Sequence, residues 1–212
     1  TFAQNKIDEM PLDRWKGLRE AERHQMNVAE KYYRERQYKV ALAEYEKFVT
    51  LYEKSEGTSF AQLKWAICQI HLKKINTAIS DGFQTVIDYW PESPEAASAA
   101  FYIGRCYKET GEVKKAKKAY LQVVSKYENS LAAVYSLTDL IDVADAEMDV
   151  DAKVAAWKKL VYEIKRIPGD ANNLCVQASI QLATHFFANG MPIRSDEHTS
   201  ELQSHSFISY AV

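Results

Sequence analysis

The chain has 212 residues, of which 47% are hydrophobic and 26% are charged. These fractions are those of an ordinary globular protein and exclude an intrinsically disordered chain. Seven glycines and five prolines are few for a loop-rich β-sandwich and favour helices. The formal net charge of -2 gives no reason to expect nucleic acid or an acidic membrane as a partner, and no apolar run approaches the roughly 18 residues of a transmembrane segment.

The first residues predict a flexible N-terminus over 1–10. Thr1-Phe2-Ala3 resembles the end of a secretory signal peptide with cleavage after Ala3, which favours a periplasmic or extracellular location. A trimmed cytoplasmic chain would begin in the same way, so a cytoplasmic location stays the alternative. Residues 11–24 predict either a capping helix or an extension of the first repeat helix.

Three segments of the chain repeat one pattern of small and aromatic residues. Ala41, Ala78 and Ala116 are 37 and 38 residues apart. Each follows another small residue by 12 positions, and these partners are Ala29, Ala66 and Gly104. Small residues in two helices let their backbones approach closely, and tyrosines such as Tyr45 and Tyr120 fill the space beside them. Self-similarity at such a period indicates a repeat protein.

This pattern resembles the tetratricopeptide repeat, a helix-turn-helix hairpin of about 34 residues. The resemblance implies an all-α fold, a right-handed α-solenoid of about 4.5 repeats. We predict the solenoid over 11–193, with repeats at about 20–54, 58–92, 95–130 and 131–167 and a truncated fifth at 171–193. The tags between hairpins, Tyr89–Pro94 and Lys126–Ser130, are similar to those of periplasmic proteins of outer-membrane assembly and of the Tol–Pal system, which implies the bacterial envelope.

Two glycines fall where the resemblance places a turn between the two helices of a repeat. Gly111 lies in the third repeat and Gly190 in the truncated fifth. Such turns often need a positive φ, which glycine adopts without strain. In the fifth repeat, Ala183 takes the place of the small residue of the first helix.

The segment 194–212 does not continue the repeat. Arg194–His205 resembles the translation of a common sequencing-library adapter except at Asp196, and Ile208–Val212 resembles a later part of the same adapter in the same frame. We therefore expect 194–212 to be a non-native tail, with a natural polar tail as the alternative.

Few residues form a pattern typical of catalysis or metal binding. The histidines and cysteines are far apart, with no His-x-x-x-His or Cys-x-x-Cys spacing. The acidic run Asp145–Asp151 lacks the glycine and the spacing of a calcium loop. The lysines within 114–118 occur without the interleaved aromatic or arginine residues of a nucleic-acid surface. The sequence therefore predicts a protein that is not an enzyme and has no cofactor, metal or nucleic-acid ligand.

Ligands of the tetratricopeptide family are bound by residues of the first helix of each repeat, on the inner face of the solenoid. Carried over to this sequence, the resemblance places a partner-binding groove at Met26, Glu30, Tyr33, Arg34, Phe60, Leu63, Ile67, Ile70, His71, Phe101, Arg105, Lys108 and Glu109. The middle of this set is apolar and charged residues flank it, as expected of a binding hot spot. The alternative is that some of these residues pack against a neighbouring helix or the N-terminal extension. The family's clamp for a terminal carboxylate uses Lys and Asn where Met26 and Glu30 stand, so we do not expect that clamp.

Two functions fit these expectations. The first is a non-catalytic scaffold that binds a peptide or a partner helix in the inner groove. The alternative is a homo-oligomeric structural protein that stacks end to end into an extracellular filament, because the ends of a solenoid expose apolar faces unless they are capped.

Overall fold

The computed structural model describes residues 6–165 and 170–190, and every regular element in this part of the chain is helical. The predicted all-α class is therefore confirmed. The helices are α1 (Leu12–Gly17), α2 (Glu20–Arg34), α3 (Tyr38–Leu51), α4 (Thr58–His71), α5 (Ile75–Thr77), α6 (Gln84–Tyr89), α7 (Pro94–Glu109), α8 (Val113–Lys126), α9 (Leu131–Ala146), α10 (Val150–Lys158) and α11 (Asp170–Ala188). A 3₁₀ turn at Lys6–Asp8 precedes α1, and π-helical turns at Ala78–Phe83 and Lys159–Glu163 join α5 to α6 and extend α10.

Helices that follow each other in the chain pack against each other. α2 packs on α3, α7 on α8 and α9 on α10, while α3 contacts α4, α6 contacts α7 and α8 contacts α9. The first helices of successive hairpins also contact each other, α4 with α7 and α7 with α9. Each hairpin therefore completes its core with its neighbours, which is the architecture of an α-solenoid.

The repeated small residues lie where two helices cross. Ala29, Ala41 and Tyr45 share one buried cluster at the crossing of α2 and α3. In the third hairpin, a Cβ added to Gly104 would lie 2.5 Å from the ring of the buried Tyr120. This distance leaves no space for a side chain, so the glycine allows the tyrosine to fill the interface between α7 and α8.

The turn between the two helices of a hairpin has a left-handed residue in each of the first four hairpins. Arg36, Lys73, Gly111 and Met148 have φ values of 61°, 62°, 78° and 56°, and Gly190, just after α11, has 63°. The sequence indicates a positive φ only at the two glycines. It misses the other three because non-glycine residues adopt a positive φ at an intrinsic cost of about 1–2 kcal/mol, which the tertiary fold must offset.

Local signals set the start of several helices. The Ser130 side chain accepts a hydrogen bond from the Ala133 amide at 3.1 Å, and the Asp149 side chain accepts one from the Ala152 amide at 2.9 Å. Pro94 opens α7, where its missing amide hydrogen has no helical partner to lose. Short polar side chains and proline at these positions are therefore sufficient to define the first turns of α7, α9 and α10.

The last described helix, α11, begins next to the predicted start of the fifth repeat and is followed by Gly190 at a positive φ, but it does not bury the predicted small residue Ala183. α11 buries Ala171, Ala178 and Leu182, which are seven and four residues apart and so lie on one helical face. Ala183 is exposed, because it lies about 100° around the helix from Leu182.

The predicted non-native tail at 194–212 lies outside the described residues. Among the helices that the structure describes, none has the length and apolar character needed to cross a membrane.

The N-terminal segment differs from the sequence prediction. A flexible segment is predicted over 1–10, but Ile7 is only 8% exposed and belongs to the apolar cluster between α4 and α7. We call residues 6–17, which include the 3₁₀ turn and α1, the arm. The prediction is wrong for its described part because Ile7 and Met10 find apolar partners on other helices, which no local pattern in residues 1–10 reveals.

Candidate functional site

The arm lies along the inner face formed by the first helices of the first three hairpins, α2, α4 and α7. The hydroxyl of Ser98 on α7 donates a hydrogen bond to the backbone carbonyl of Ile7 at 3.1 Å. The hydroxyl of Tyr102, one turn further along α7, donates to the carboxylate of Asp8. One helix therefore contacts both the main chain and an acidic side chain of the 3₁₀ turn.

A buried ion pair anchors the other end of the arm. The guanidinium of Arg14 lies 2.5 Å from the carboxylate of Glu95, whose side chain is 5% exposed. Arg14 also donates to the carbonyl of Glu56 at 2.6 Å, and the hydroxyl of Ser59 donates to Glu95 at 3.0 Å. Because a buried carboxylate needs such partners, this network ties α1 to the starts of α4 and α7.

The floor of the groove contains a nearly buried lysine. The ammonium of Lys64 on α4 lies 3.5 Å from the carboxylate of Glu30 on α2 and 3.5 Å from the centre of the Tyr33 ring. The side chain of Lys64 is 4% exposed, and Glu30 also accepts a hydrogen bond from the Tyr45 hydroxyl at 2.5 Å. The carboxylate and the aromatic face together compensate the positive charge in a setting with little water.

An open cleft of about 770 Å³ continues from the arm along the same face. Asp8, Glu9 and Met10 form its wall on the side of the arm. Its other lining residues include the cations Arg34, Lys64, Lys73 and Arg105, the carboxylates Glu30 and Glu109, the imidazole of His71 and the apolar Ile67 and Ile70. The arm thus fills one part of the groove, and a cleft lined by cations, carboxylates and apolar side chains remains beside it.

Burial shifts the ionisation of two groups in the cleft. Desolvation raises the pKa of Asp8 above its ordinary value, although the Tyr102 hydrogen bond and the positive charges of Lys64 and Arg105 act in the opposite direction. Desolvation lowers the pKa of His71, and the nearby charges of Lys64 and Lys73 lower it further. His71 is therefore mostly neutral at pH 7, and its ring stacks on Tyr38 with 3.9 Å between centroids.

The cysteines on the two central inner helices have little nucleophilic character. Desolvation raises the pKa of the Cys68 thiol and that of the Cys106 thiol to about 12. Both thiols are thus protonated at neutral pH, and the thiolate is the reactive form. In residues 6–165 and 170–190, no three His, Cys, Asp or Glu side chains come together as potential metal ligands.

Most of the predicted groove residues line the cleft. These are Glu30, Tyr33, Arg34, Phe60, Ile67, Ile70, His71, Arg105 and Glu109. Their position agrees with the predicted inner face, and their role in binding a partner stays a prediction.

Four predicted groove residues serve the fold instead. Met26 and Leu63 are fully buried, and Phe101 is buried against the rings of Tyr120 and Tyr135. The prediction is wrong for them because the inner helices contact one another through these positions. Lys108 pairs with Asp139 at 2.6 Å and with Asp142 at 3.1 Å on α9, so it bridges two hairpins and is not a free charge in the groove; these two contacts raise its pKa against the effect of desolvation.

Sequence reasoning missed Lys64, Tyr102 and the contribution of the arm. Lys64 follows Phe60 by four residues and precedes Ile67 by three, so helical periodicity places it on the predicted face. Tyr102 is adjacent to the predicted Phe101. It contributes to the groove through its hydrogen bond to Asp8 of the arm. No sequence pattern indicates that approach.

Comparisons with known proteins agree with this architecture. Residues 60–93 and 98–130 each match the family model described as tetratricopeptide repeat. The structure is similar to the crystal structure of BtubC (BKLC) from P. vanneervenii, with a TM-score of 0.57, 16% identity, and coverage of 79% of this chain and 73% of that chain. It is also similar to a putative kinesin light chain of Podosopora anserina with nearly identical TPR-like repeats, with a TM-score of 0.54, 17% identity, and coverage of 90% and 97%. No curated protein matches the sequence.

These matches define what the chain is at the level of fold. It contains tetratricopeptide repeats in its second and third hairpins, and its helices form a TPR-like α-solenoid. Repeats of this kind generally mediate protein–protein interactions. At 16% and 17% identity, the two solved structures are evidence of the common fold alone.

Proposed function

We propose that this protein is a non-catalytic scaffold that binds a peptide segment of a partner protein in the cleft beside the arm. The arm carries the proposal, because the groove already holds a short segment of the chain, a 3₁₀ turn, through an apolar side chain, a main-chain carbonyl and a carboxylate. The cleft next to it is concave and partly apolar, with both cations and carboxylates in its lining, as expected of a peptide site, and Arg105 is the cation that favours an acidic peptide.

Arg105 is the residue on which the cleft is best tested. Its guanidinium lies 5.9 Å from the centres of the Phe101 and Tyr102 rings, and it has no ion-pair partner among the described residues. An acidic partner would supply the missing carboxylate. A guanidinium held over aromatic rings is also a typical energetic centre of an interface.

A selection from a phage-displayed library of random dodecapeptides tests the proposal without knowledge of the natural partner. We expect the wild-type protein to enrich acidic peptides, and we expect Arg105→Glu to weaken the best of them at least tenfold. Lys118→Glu on α8 is the matched control, because Lys118 is an exposed cation outside this cleft. A selection without enrichment, or equal binding by wild type and Arg105→Glu, would overturn the proposal.

One observation favours the second candidate, end-to-end assembly. Ile180 and Phe187 on α11 are 58% and 85% exposed, so the last described helix presents apolar surface. If the protein assembles through this surface, its sedimentation coefficient should rise with concentration and Phe187→Ser should abolish the rise. A monomer at all concentrations would exclude the filament.

The envelope location is also a proposal. The tags at Tyr89–Pro94 and Lys126–Ser130 support it through their resemblance to envelope proteins. Fractionation of a bacterium that expresses the complete gene tests it, and recovery in the cytosol alone would refute it.

A further inference from the structure

We infer that the groove recognises an apolar residue followed directly by an acidic residue in the partner segment, and that Ile7 and Asp8 of the arm occupy this position until the partner displaces them. The inference rests on the proposed function and names the chemistry of its ligand. It follows from how the groove holds the arm and from a lysine that the arm leaves without a hydrogen bond.

The apolar position is a defined socket on the inner face. Ile7 belongs to the buried cluster that contains Leu63, Ile67 and Tyr102. The hydroxyl of Ser98, itself 6% exposed, fixes the main chain of the arm at this residue. A hydrogen bond to a carbonyl is independent of side-chain identity, so another segment that presents an aliphatic residue in a similar turn could take the same place.

The acidic position is defined by three groups on α4 and α7. The carboxylate of Asp8 accepts the Tyr102 hydroxyl and lies in the field of Lys64 and Arg105. The ammonium of Lys64 has no hydrogen bond to a described residue, and its 3.5 Å distance to Glu30 exceeds the usual 2.7–2.9 Å of a charge-assisted bond. A nearly buried cation with unused donors beside a cleft favours a further carboxylate.

The hold of the groove on Ile7 and Asp8 is weak enough for exchange. Glu9, Pro11, Leu12 and Asp13 are exposed, so of the residues between Asp8 and the Arg14 anchor only Met10 packs against an apolar cluster. Burial of the Asp8 carboxylate has a desolvation cost, and this cost offsets part of the free energy gained when the arm docks. The first part of the arm can therefore leave while Arg14 keeps the rest in place.

The position of the arm makes it a competitor of the partner segment for the groove. Asp8, Glu9 and Met10 form the wall of the open cleft, so a partner segment that extends along the cleft reaches the Ile7 socket only by replacing the arm. The arm joins α2 directly, and its local concentration in its own groove is therefore high. A partner must exceed this intramolecular competitor, which keeps the groove closed to weak ligands.

A synthetic peptide that copies residues 6–17 provides the probe. It is fluorescein-labelled and carries acetyl and amide ends, so that all of its carboxylates come from side chains. We expect the full chain with Ile7→Asp, whose own arm cannot enter the apolar socket, to bind this peptide at least tenfold more tightly than the wild type does. The same peptide with Asp8→Asn should bind the variant at least fivefold more weakly, and so should the unchanged peptide when Arg105→Gln is added to the variant.

Circular dichroism establishes whether the Ile7→Asp chain is folded, and a measurement on the wild type makes the test independent of that variant. Hydrogen exchange of the amides at residues 7–9 should become faster when a selected acidic dodecapeptide is bound. Selected peptides that bind while these amides stay protected would overturn the inference and leave the proposed function intact. The random selection tests the proposed function, and its failure would overturn that function. The copied peptide tests the present inference, and its binding is measured in a separate experiment.

Two further outcomes would also overturn the inference. One is equal binding of the copied peptide by the wild type and Ile7→Asp, or equal binding of the peptide and its Asp8→Asn form. The other is a wild-type dimer that Ile7→Asp converts to a monomer, because the natural occupant would then be the arm of a second copy.

Discussion

The inner and outer faces of this solenoid use charge in opposite ways. On the inner face, Lys64 and Arg14 have little exposure and pair with carboxylates of other elements. The outer side of the solenoid includes pairs that are much more exposed, such as Lys159 with Glu163 one turn away, with exposures of 42% and 63%. The difference teaches that a charged residue in this repeat contributes to structure and recognition where it is desolvated, and mainly to solubility where it is not.

The largest expected effect is at the floor of the groove. Lys64→Met keeps most of the side-chain volume but leaves the Glu30 carboxylate without its cation. We expect a loss of about 3 kcal/mol in the free energy of unfolding, because removal of one partner of a buried pair leaves an uncompensated charge. Urea denaturation followed by circular dichroism measures this loss.

The control for this prediction is a double-mutant cycle. Glu30→Gln retains an acceptor for the Tyr45 hydroxyl, and the double variant should lose clearly less stability than the sum of the two single variants. Additive losses would show that Lys64 and Glu30 do not interact, and the inner face would then resemble the outer one.

The anchor of the arm should give the next largest effect. Arg14→Ala removes the cation beside Glu95 and leaves that carboxylate with the Ser59 hydroxyl. We expect a loss of about 2 kcal/mol, the usual scale for a buried charged group that loses its partner. Lys16→Ala on the same helix is the matched control and should leave the unfolding midpoint unchanged, since Lys16 is exposed. A loss no larger than the control's would contradict a structural role for the arm.

The pH dependence of the arm sharpens the comparison further. Burial raises the pKa of Asp8 in the folded protein above the roughly 3.9 of an ordinary aspartate. At pH values between the pKa of Asp8 in the unfolded state and its raised pKa in the folded state, the folded state binds more protons than the unfolded state. The stability contributed by Asp8 therefore falls as the pH rises through this window. We therefore expect the wild type to become more stable relative to Asp8→Asn as the pH is lowered through it.

Denaturant titrations of the wild type and of Asp8→Asn at matched pH values measure this difference. The contributions of the other titrating groups, which both proteins share, cancel in the difference. Glu22 is such a group and acts with the opposite sign. Its bonds to Arg19 lower its pKa, so its contribution is lost on acidification. A relative loss of stability for the wild type at low pH would contradict the prediction for Asp8.

The smallest effect is expected on the outer face. Lys159→Ala removes an exposed pair to Glu163 and should change the free energy of unfolding by less than about 0.5 kcal/mol. The same chemical denaturation at low and high salt should give the same small value. A loss comparable to that of Lys64→Met would remove the distinction between the two faces.

The predictable part of the site is the part that follows from helical periodicity. Tyr33, Ile67, Ile70 and Arg105 line the cleft because they recur on one face of helices whose order and packing the repeat defines. Met26 and Phe101 lie on the same helical face by spacing, but neighbouring helices cover them. Sequence spacing predicts the helical face on which a side chain lies, but it does not predict whether a neighbouring helix buries that side chain.

The sequence by itself determined the repeated unit. Small residues 12 positions apart, recurring at 37 and 38 residues, are local features, and they are sufficient to define helical hairpins that pack on their neighbours. The tertiary structure alone decided where the arm lies, how deeply Lys64 is buried and that Arg36 and Met148 adopt a left-handed backbone. Each of these depends on contacts between residues far apart in the chain, whose free energy outweighs local preference and leaves no periodic trace in the sequence.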